Sequence, residues 1–177
     1  MKVHEIMTTN VETCPPGADL GAAALLMWKR DCGAVPVVDP ATQKILGMIT
    51  DRDICVGLAT SGLRPHERTV HEVYTRGAIT VAPDAEVRDA LGLMERHQVR
   101  RLPVAGDDGR LQGMLSINDL ILRAEGGRAA RVPHADVMRV LQAVSRHRAP
   151  VAKPSAAKAP ATKAGRRRAP EPEPAAP

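Results

Sequence analysis

The chain has 177 residues, with 25 Lys+Arg against 20 Asp+Glu, a formal net charge of +5 and a sequence pI near 9.5. That length suits one modest core, or two small ones packed together, and excludes a large multidomain enzyme. Trp28 and Tyr74 are the only aromatic residues, which argues against an RNA surface built on rows of stacking rings and leaves the core to aliphatic side chains, Met and Ala.

In chain order, the segment Met1-Lys2-Val3-His4-Glu5 has no apolar leader, and no stretch approaches the roughly 18 apolar residues of a membrane span, so a soluble, cytoplasmic protein with no membrane contact is expected. Leu20, Ala23, Ala24 and Met27 stand at i, i+3, i+4 and i+7, one apolar stripe of a helix. Ala34-Val35-Pro36-Val37-Val38, a turn over Asp39 to Lys44, and Ile45-Leu46-Gly47-Met48-Ile49 predict a β-hairpin, with a helix starting near Asp51. The same order returns. Val87, Ala90, Leu91 and Met94 repeat the stripe, with Asp84 after Pro83 as its expected N-cap. Gly106-Asp107-Asp108-Gly109 marks a second hairpin turn, and a second helix begins near Ile117. A turn over 126–133 leads to Val137, Val140, Leu141 and Val144, the spacing of an amphipathic helix.

The last segment holds most of the charge asymmetry. Residues 145–177 contain 8 Lys/Arg and 2 Asp/Glu, whereas residues 1–144 contain 17 and 18. The net charge is therefore +6 in the tail and −1 in the body. Ala, Pro, Lys and Arg dominate the tail, and its prolines interrupt any helix, so disorder is expected over 146–177. Such an arm either touches nucleic acid through salt-dependent charge contact or only adds solubility.

The two halves of the body are a duplication. Val3-His4-Glu5-Ile6-Met7-Thr8 aligns with Val70-His71-Glu72-Val73-Tyr74-Thr75 at an offset of 67, which also sets Pro16 on Pro83 and Pro36 on Pro103. After the shorter second turn the offset is 66, and Gly47-Met48-Ile49-Thr50-Asp51-Arg52-Asp53-Ile54 matches Gly113-Met114-Leu115-Ser116-Ile117-Asn118-Asp119-Leu120. The expected organisation is repeat 1 over 1–60, repeat 2 over 61–125, a helix over 133–145 and the tail over 146–177.

Within each repeat, Pro36 and Pro103 lack an N–H, so the first hairpin strand cannot be fully paired and neighbouring backbone groups are left for a ligand. Asp53 and Asp119 can accept charge-assisted hydrogen bonds from the two hydroxyls of a ribose. Thr50 and Ser116, three residues earlier, bring a hydroxyl to a helix start whose free N–H groups favour phosphate. Helix capping alone explains an isolated S/T-x-x-D pattern; its duplication beside the Pro-interrupted strand favours a ligand. Arg100 and Arg101 precede the second hairpin strand where Gly33 and Ala34 stand in the first repeat, so the two repeats are unequal in charge at this point. Both arginines also suit a solvated surface, and Arg52 suits phosphate, Asp51 or solvent. Val35 and Leu102, with Ile6 and Val73, are candidates to pack an adenine ring, although such residues more often form plain core.

No catalytic or metal constellation is visible. Histidines 4, 66, 71, 97, 134 and 147 lie on separate segments, and Cys14, Cys32 and Cys55 form no CxxC pair, so reduced thiols are expected. His4-Glu5 and His71-Glu72 are assigned to interface or leading segments. The glycines match no phosphate-binding loop.

The duplicated segments, with Val35-Pro36-Val37-Val38-Asp39, Val99-Arg100-Arg101-Leu102-Pro103-Val104 and the paired Gly-x-x-Thr/Ser-x-x-Asp signatures, resemble a tandem pair of cystathionine β-synthase (CBS) domains, a Bateman module, over about residues 1–123. The resemblance implies an α/β (α+β) fold of two β-α-β-β-α repeats packed as one pseudo-two-fold globule with two clefts, and a flat, disc-like homodimer; the cleft near Arg100 and Arg101 is then expected to prefer a phosphorylated ligand, and the other to be empty or hold a neutral nucleoside. It also implies a non-enzymatic regulator that needs no cofactor for catalysis and binds ATP, ADP, AMP or S-adenosylmethionine to modulate a partner protein. A nucleic-acid-associated protein using the tail, or a ligand-free dimerisation module, are the alternatives.

Overall fold

The computed structural model describes residues 1–124 and 132–146. The expected tail over 146–177, apart from its first residue, and most of the expected turn over 126–133 lie outside these residues. No helix among them is long and apolar enough to cross a membrane.

Repeat 1 contributes α1 (Leu20–Lys29), β1 (Ala34–Val38), β2 (Ile45–Thr50) and α2 (Asp51–Ser61). Repeat 2 contributes β3 (Thr75–Arg76), α3 (Val87–His97), β4 (Arg101–Ala105), β5 (Leu111–Ser116) and α4 (Ile117–Ile121), and α5 (His134–Ser145) follows. The fold is the mixed α/β pair of repeats that the duplication implies. Asp19 caps α1 by accepting the Ala22 N–H at 2.8 Å. The expected counterpart cap, Asp84, does not form. Helix α3 starts after Glu86, which makes no side-chain cap, while the Asp84 carboxylate lies 3.3 Å from His4. Both α1 and α3 are followed by a left-handed residue, Asp31 at φ 47° and Gln98 at φ 51°, which turns the chain into the hairpin.

The leading segments are exchanged between repeats. The Val3 and His4 N–H groups donate to the carbonyls of Ala85 and Pro83, and those of Val70 and His71 donate to Ala18 and Pro16. These are the same bonds displaced by 67 residues and crossed over. Thr8 bridges Met114 on β5, and β3 pairs with β2 through Gly47 and Met48. Val3 and Ile6 are consequently buried with α3, β4 and β5 in one core, and Val70 is buried with α1, β1 and β2 in the other. His4-Glu5 and His71-Glu72 form matching 3-10 turns in which each Glu accepts a main-chain N–H three residues back.

Helix α5 lies on α3 and α4, with Val137 and Val140 buried in the second core. The apolar stripe read from Val137 to Val144 is the face that it buries.

Cys14 is buried, Cys32 half-buried and Cys55 exposed, all as free thiols. Burial pushes the Cys14 thiol up to about 11. Only thiolate reacts, so maleimide at neutral pH is expected to label Cys55 in the native protein and Cys14 only after unfolding. Labelling of native Cys14 at a rate equal to Cys55, read by peptide mass spectrometry, would contradict this burial.

Candidate functional site

Each repeat has a junction where the first hairpin strand, the end of the second and the start of the following helix meet. Strand register sets Ala34 opposite Thr50 and Arg101 opposite Ser116. The Asp51 N–H donates to the Gly33 carbonyl at 3.3 Å, and the Ile117 N–H to the Arg100 carbonyl at 2.9 Å, tying helix to strand.

Thr50 and Ser116 are the N-caps of α2 and α4, as the capping alternative requires. The Thr50 hydroxyl accepts the Asp53 N–H at 3.1 Å and donates to Asp53 Oδ2 at 2.7 Å, while the Thr50 N–H donates to the same oxygen at 3.1 Å. Ser116 and Asp119 reproduce this arrangement at 3.2, 2.7 and 2.8 Å. The caps therefore consume Oδ2 of both carboxylates. Among the described residues Oδ1 of each makes no hydrogen bond. An ionised oxygen has two acceptor positions, so each Asp, held rigid by its cap, still offers one oxygen to a pair of donors. Capping and ligand binding are thus compatible uses of one carboxylate.

The prolines act differently from expectation. Pro36 and Pro103 stand in register with Met48 and Met114, so neither interrupts the hairpin ladder. Their missing N–H faces the outer edge. There the Cys14 N–H donates to the Pro36 carbonyl and the Val38 N–H to the Cys14 carbonyl, and Val81 does the same with Pro103 and Ala105. This outer bridge stops at the proline because no donor remains. Main-chain groups of Ala34 and Arg101, two residues earlier on that edge, have no strand beside them among the described residues. The open backbone therefore lies opposite Thr50 and Ser116.

The junctions differ in charge. Repeat 1 carries Asp51, Arg52 and Asp53, and a Cβ on Gly33 would stand 2.9 Å from the Asp51 carboxylate, so a side chain there would meet that acid. Repeat 2 carries Arg100 and Arg101 with Asp119, and neither arginine makes an ion pair among the described residues. Arg101 is half-buried and Arg100 exposed.

Val35, 1 % exposed, and Leu102, 0 % exposed, are shut in the two cores. Their side chains offer a ligand no surface; Ile6 is buried as well, and Val73 is half-buried against the first core. Their burial favours the plain-core alternative for Val35 and Leu102 over the adenine-packing one.

A groove of about 460 Å³ lies between α1 and α2; it shares Gly33 and Asp51 with the repeat 1 junction and is also lined by Met27, Trp28, Asp31, Cys32 and Cys55. None of Thr50, Asp53, Arg100, Arg101, Ser116 or Asp119 lines it. Leu25 and Trp28 lie off the buried stripe of α1, and that misplaced apolar pair was the available sequence signal. No group of three or more potential metal ligands is assembled among the described residues.

The CBS domain profile matches residues 3–59 and again 70–126. The chain is 36% identical over 128 residues to the CBS domain-containing protein YhcV of Bacillus subtilis, covering 72% of this chain and 89% of that one. It is 31% identical over 130 residues to inosine-5'-monophosphate dehydrogenase of Methanocaldococcus jannaschii, covering 73% of this chain but 25% of the enzyme. Among solved structures, the CBS domain pair of protein MJ0100 in complex with 5'-methylthioadenosine and S-adenosyl-L-methionine is similar with a TM-score of 0.62 and 26% identity, covering 69% of this chain and 94% of that one.

Proposed function

The chain belongs to the CBS-domain family, and from that premise we propose that it is a non-enzymatic regulatory module that binds adenosine-containing ligands at its two strand–helix junctions and, as a homodimer, modulates a partner protein. One observation carries the reading: the capped carboxylates of Asp53 and Asp119 each keep Oδ1 open beside a strand edge with free main-chain groups. A ribose diol needs such an acceptor, and the edge of a purine needs backbone donors and acceptors. The adenosyl ligands in the MJ0100 pair support the ligand class. Similarity to a dehydrogenase over only a quarter of its length supports a regulatory rather than catalytic role.

Charge divides the two junctions. Arg100 and Arg101 suit the repeat 2 site to a phosphate-bearing ligand such as AMP, ADP or ATP, and Asp51 beside Gly33 suits the repeat 1 site to a ligand without phosphate, or with a cationic group such as the sulfonium of S-adenosylmethionine. Calorimetry of the full chain with AMP, ADP, ATP, adenosine and S-adenosylmethionine tests this. Saturable binding is expected, and Arg100→Ala/Arg101→Ala should weaken AMP about tenfold while leaving adenosine unchanged, since charge-assisted bonds to phosphate are lost and those to ribose are kept. Absence of binding by every ligand to the folded chain would overturn the proposal.

A further inference from the structure

Helix α5 holds repeat 2 at the two places that flank its proposed ligand groups. The first is α4. Asp119, whose Oδ1 is open, is followed directly by Leu120, which is fully buried in one core with Val132, Val137 and Val140. Because α4 runs only over Ile117–Ile121, the carboxylate and the contact with α5 lie within little more than one helical turn. The second place is the bend before β4. Gln98, left-handed at φ 51°, stands two residues before Arg100, and its Nε2 donates to the Ala143 carbonyl in the last turn of α5 at 3.1 Å. A further tie, Arg139 Nε to Glu95 at 3.1 Å, holds the middle of α5 to the last turn of α3.

The duplication supplies an internal comparison. Leu120 corresponds to Ile54 at the offset of 66, and Gln98 to Asp31 at 67. Ile54 is buried in the first core, which includes no residue of α5. The two junctions therefore share their caps but differ in what lies behind them. An amphipathic helix of twelve residues is marginal in water by itself, so α5 has two states, docked and helical or detached with its helix lost. Docking fixes α4 and the bend at Gln98, and a ligand held by Asp119 and the arginines fixes the same segments. Each event bears part of the ordering cost of the other, so each favours the other. We infer that docking of α5 is positively coupled to occupancy of the repeat 2 junction, so that α5 reports the ligand of repeat 2 and not that of repeat 1.

This inference rests on the proposed ligand reading and names the element through which that site is regulated. Hydrogen exchange of the full chain, followed by mass spectrometry, tests it. Saturating AMP is expected to slow exchange over 134–145 at least about fivefold, the lower end of ordinary coupling between sites. The effect should vanish in Asp119→Ala and persist in Asp53→Ala. Val140→Asp puts a charge at a fully buried position of α5 and should detach the helix. By reciprocity it should weaken AMP by the same factor that AMP slows exchange. Met138→Glu, on the exposed side of α5, should change neither. AMP that binds without slowing exchange over 134–145, or a folded Val140→Asp with detached α5 and full AMP affinity, would overturn the coupling and leave the ligand reading standing. The wild-type comparison decides the matter should Val140→Asp fail to fold. Absence of binding by every adenosyl ligand would overturn both.

Discussion

Asp119→Ala is expected to reduce AMP affinity by about ten- to a hundredfold, the loss of charge-assisted hydrogen bonds to a diol. The open Oδ1 carries this effect, because Oδ2 already accepts from the Ser116 N–H at 2.8 Å and its hydroxyl at 2.7 Å. The substitution also removes half of the capping box on α4, a stability loss of about 1 kcal/mol. Thermal unfolding with and without AMP separates the two: the apo protein should fall only slightly, while the ligand-induced rise in Tm should disappear. Asp53→Ala should spare AMP and weaken a ligand without phosphate by the same factor, because Asp53 serves the junction that lacks Arg100 and Arg101. Unchanged affinity for every ligand in both variants, with folding intact, would show that these carboxylates are caps and nothing more.

Gly47→Ala is expected to destabilise the protein by about 3 kcal/mol, the upper end of the usual cost of a surplus methyl in a packed site. Gly47 lies on β2 where β3 crosses it, and a Cβ there would lie inside contact distance of the Thr75 carbonyl oxygen and 2.7 Å from the Tyr74 ring. Neither neighbour can turn aside as a flexible chain end would. Relief requires the leading segment of repeat 2 to lift from repeat 1, with Val70 and its bonds to Ala18. Gly113→Ala should cost less. Its new methyl would meet Met7 Sδ at 2.7 Å, which can move, and the Thr8 carbonyl at 2.8 Å, which can do so only with the chain. Gly17→Ala, with no atom within 4 Å, is the control and should stay within about 0.5 kcal/mol of wild type. Denaturant titration reads all three, and a neutral Gly47→Ala would contradict the tight crossing of the exchanged segments.

That exchange shows where local pattern ceases to inform. Helix periodicity and turn chemistry placed both hairpins, the starts of α2 and α4 and, except for the exposed Ala24, the stripe of α1, because those signals act over a few residues. Val3-His4-Glu5 and Val70-His71-Glu72 could be matched as copies, yet nothing in either segment says which repeat buries it. An aliphatic side chain has no preference between two equivalent cores, and the choice is settled by the main-chain bonds to Ala85 and Ala18 and by connection geometry. The expected Asp84 cap failed for a related reason: the leading segment brings His4 beside Asp84 from 80 positions away in the chain.

The site divides in the same way. By itself the sequence determined the duplication, the Thr50/Asp53 and Ser116/Asp119 pairs, the unequal arginines and the confinement of the basic charge to residues 145–177, since each follows from residue identity and spacing. Only the tertiary structure decided which carboxylate oxygen remains open, that the prolines end an outer bridge rather than break a hairpin, and that Val35 and Leu102 belong to the interior. It also decided that α5 closes one helical face, while its counterpart around Trp28 is exposed among the described residues. The physical reason is that hydrogen-bond saturation and burial depend on what the rest of the chain brings to a group, and two copies of one motif acquire different surroundings once a single helix can cover only one of them.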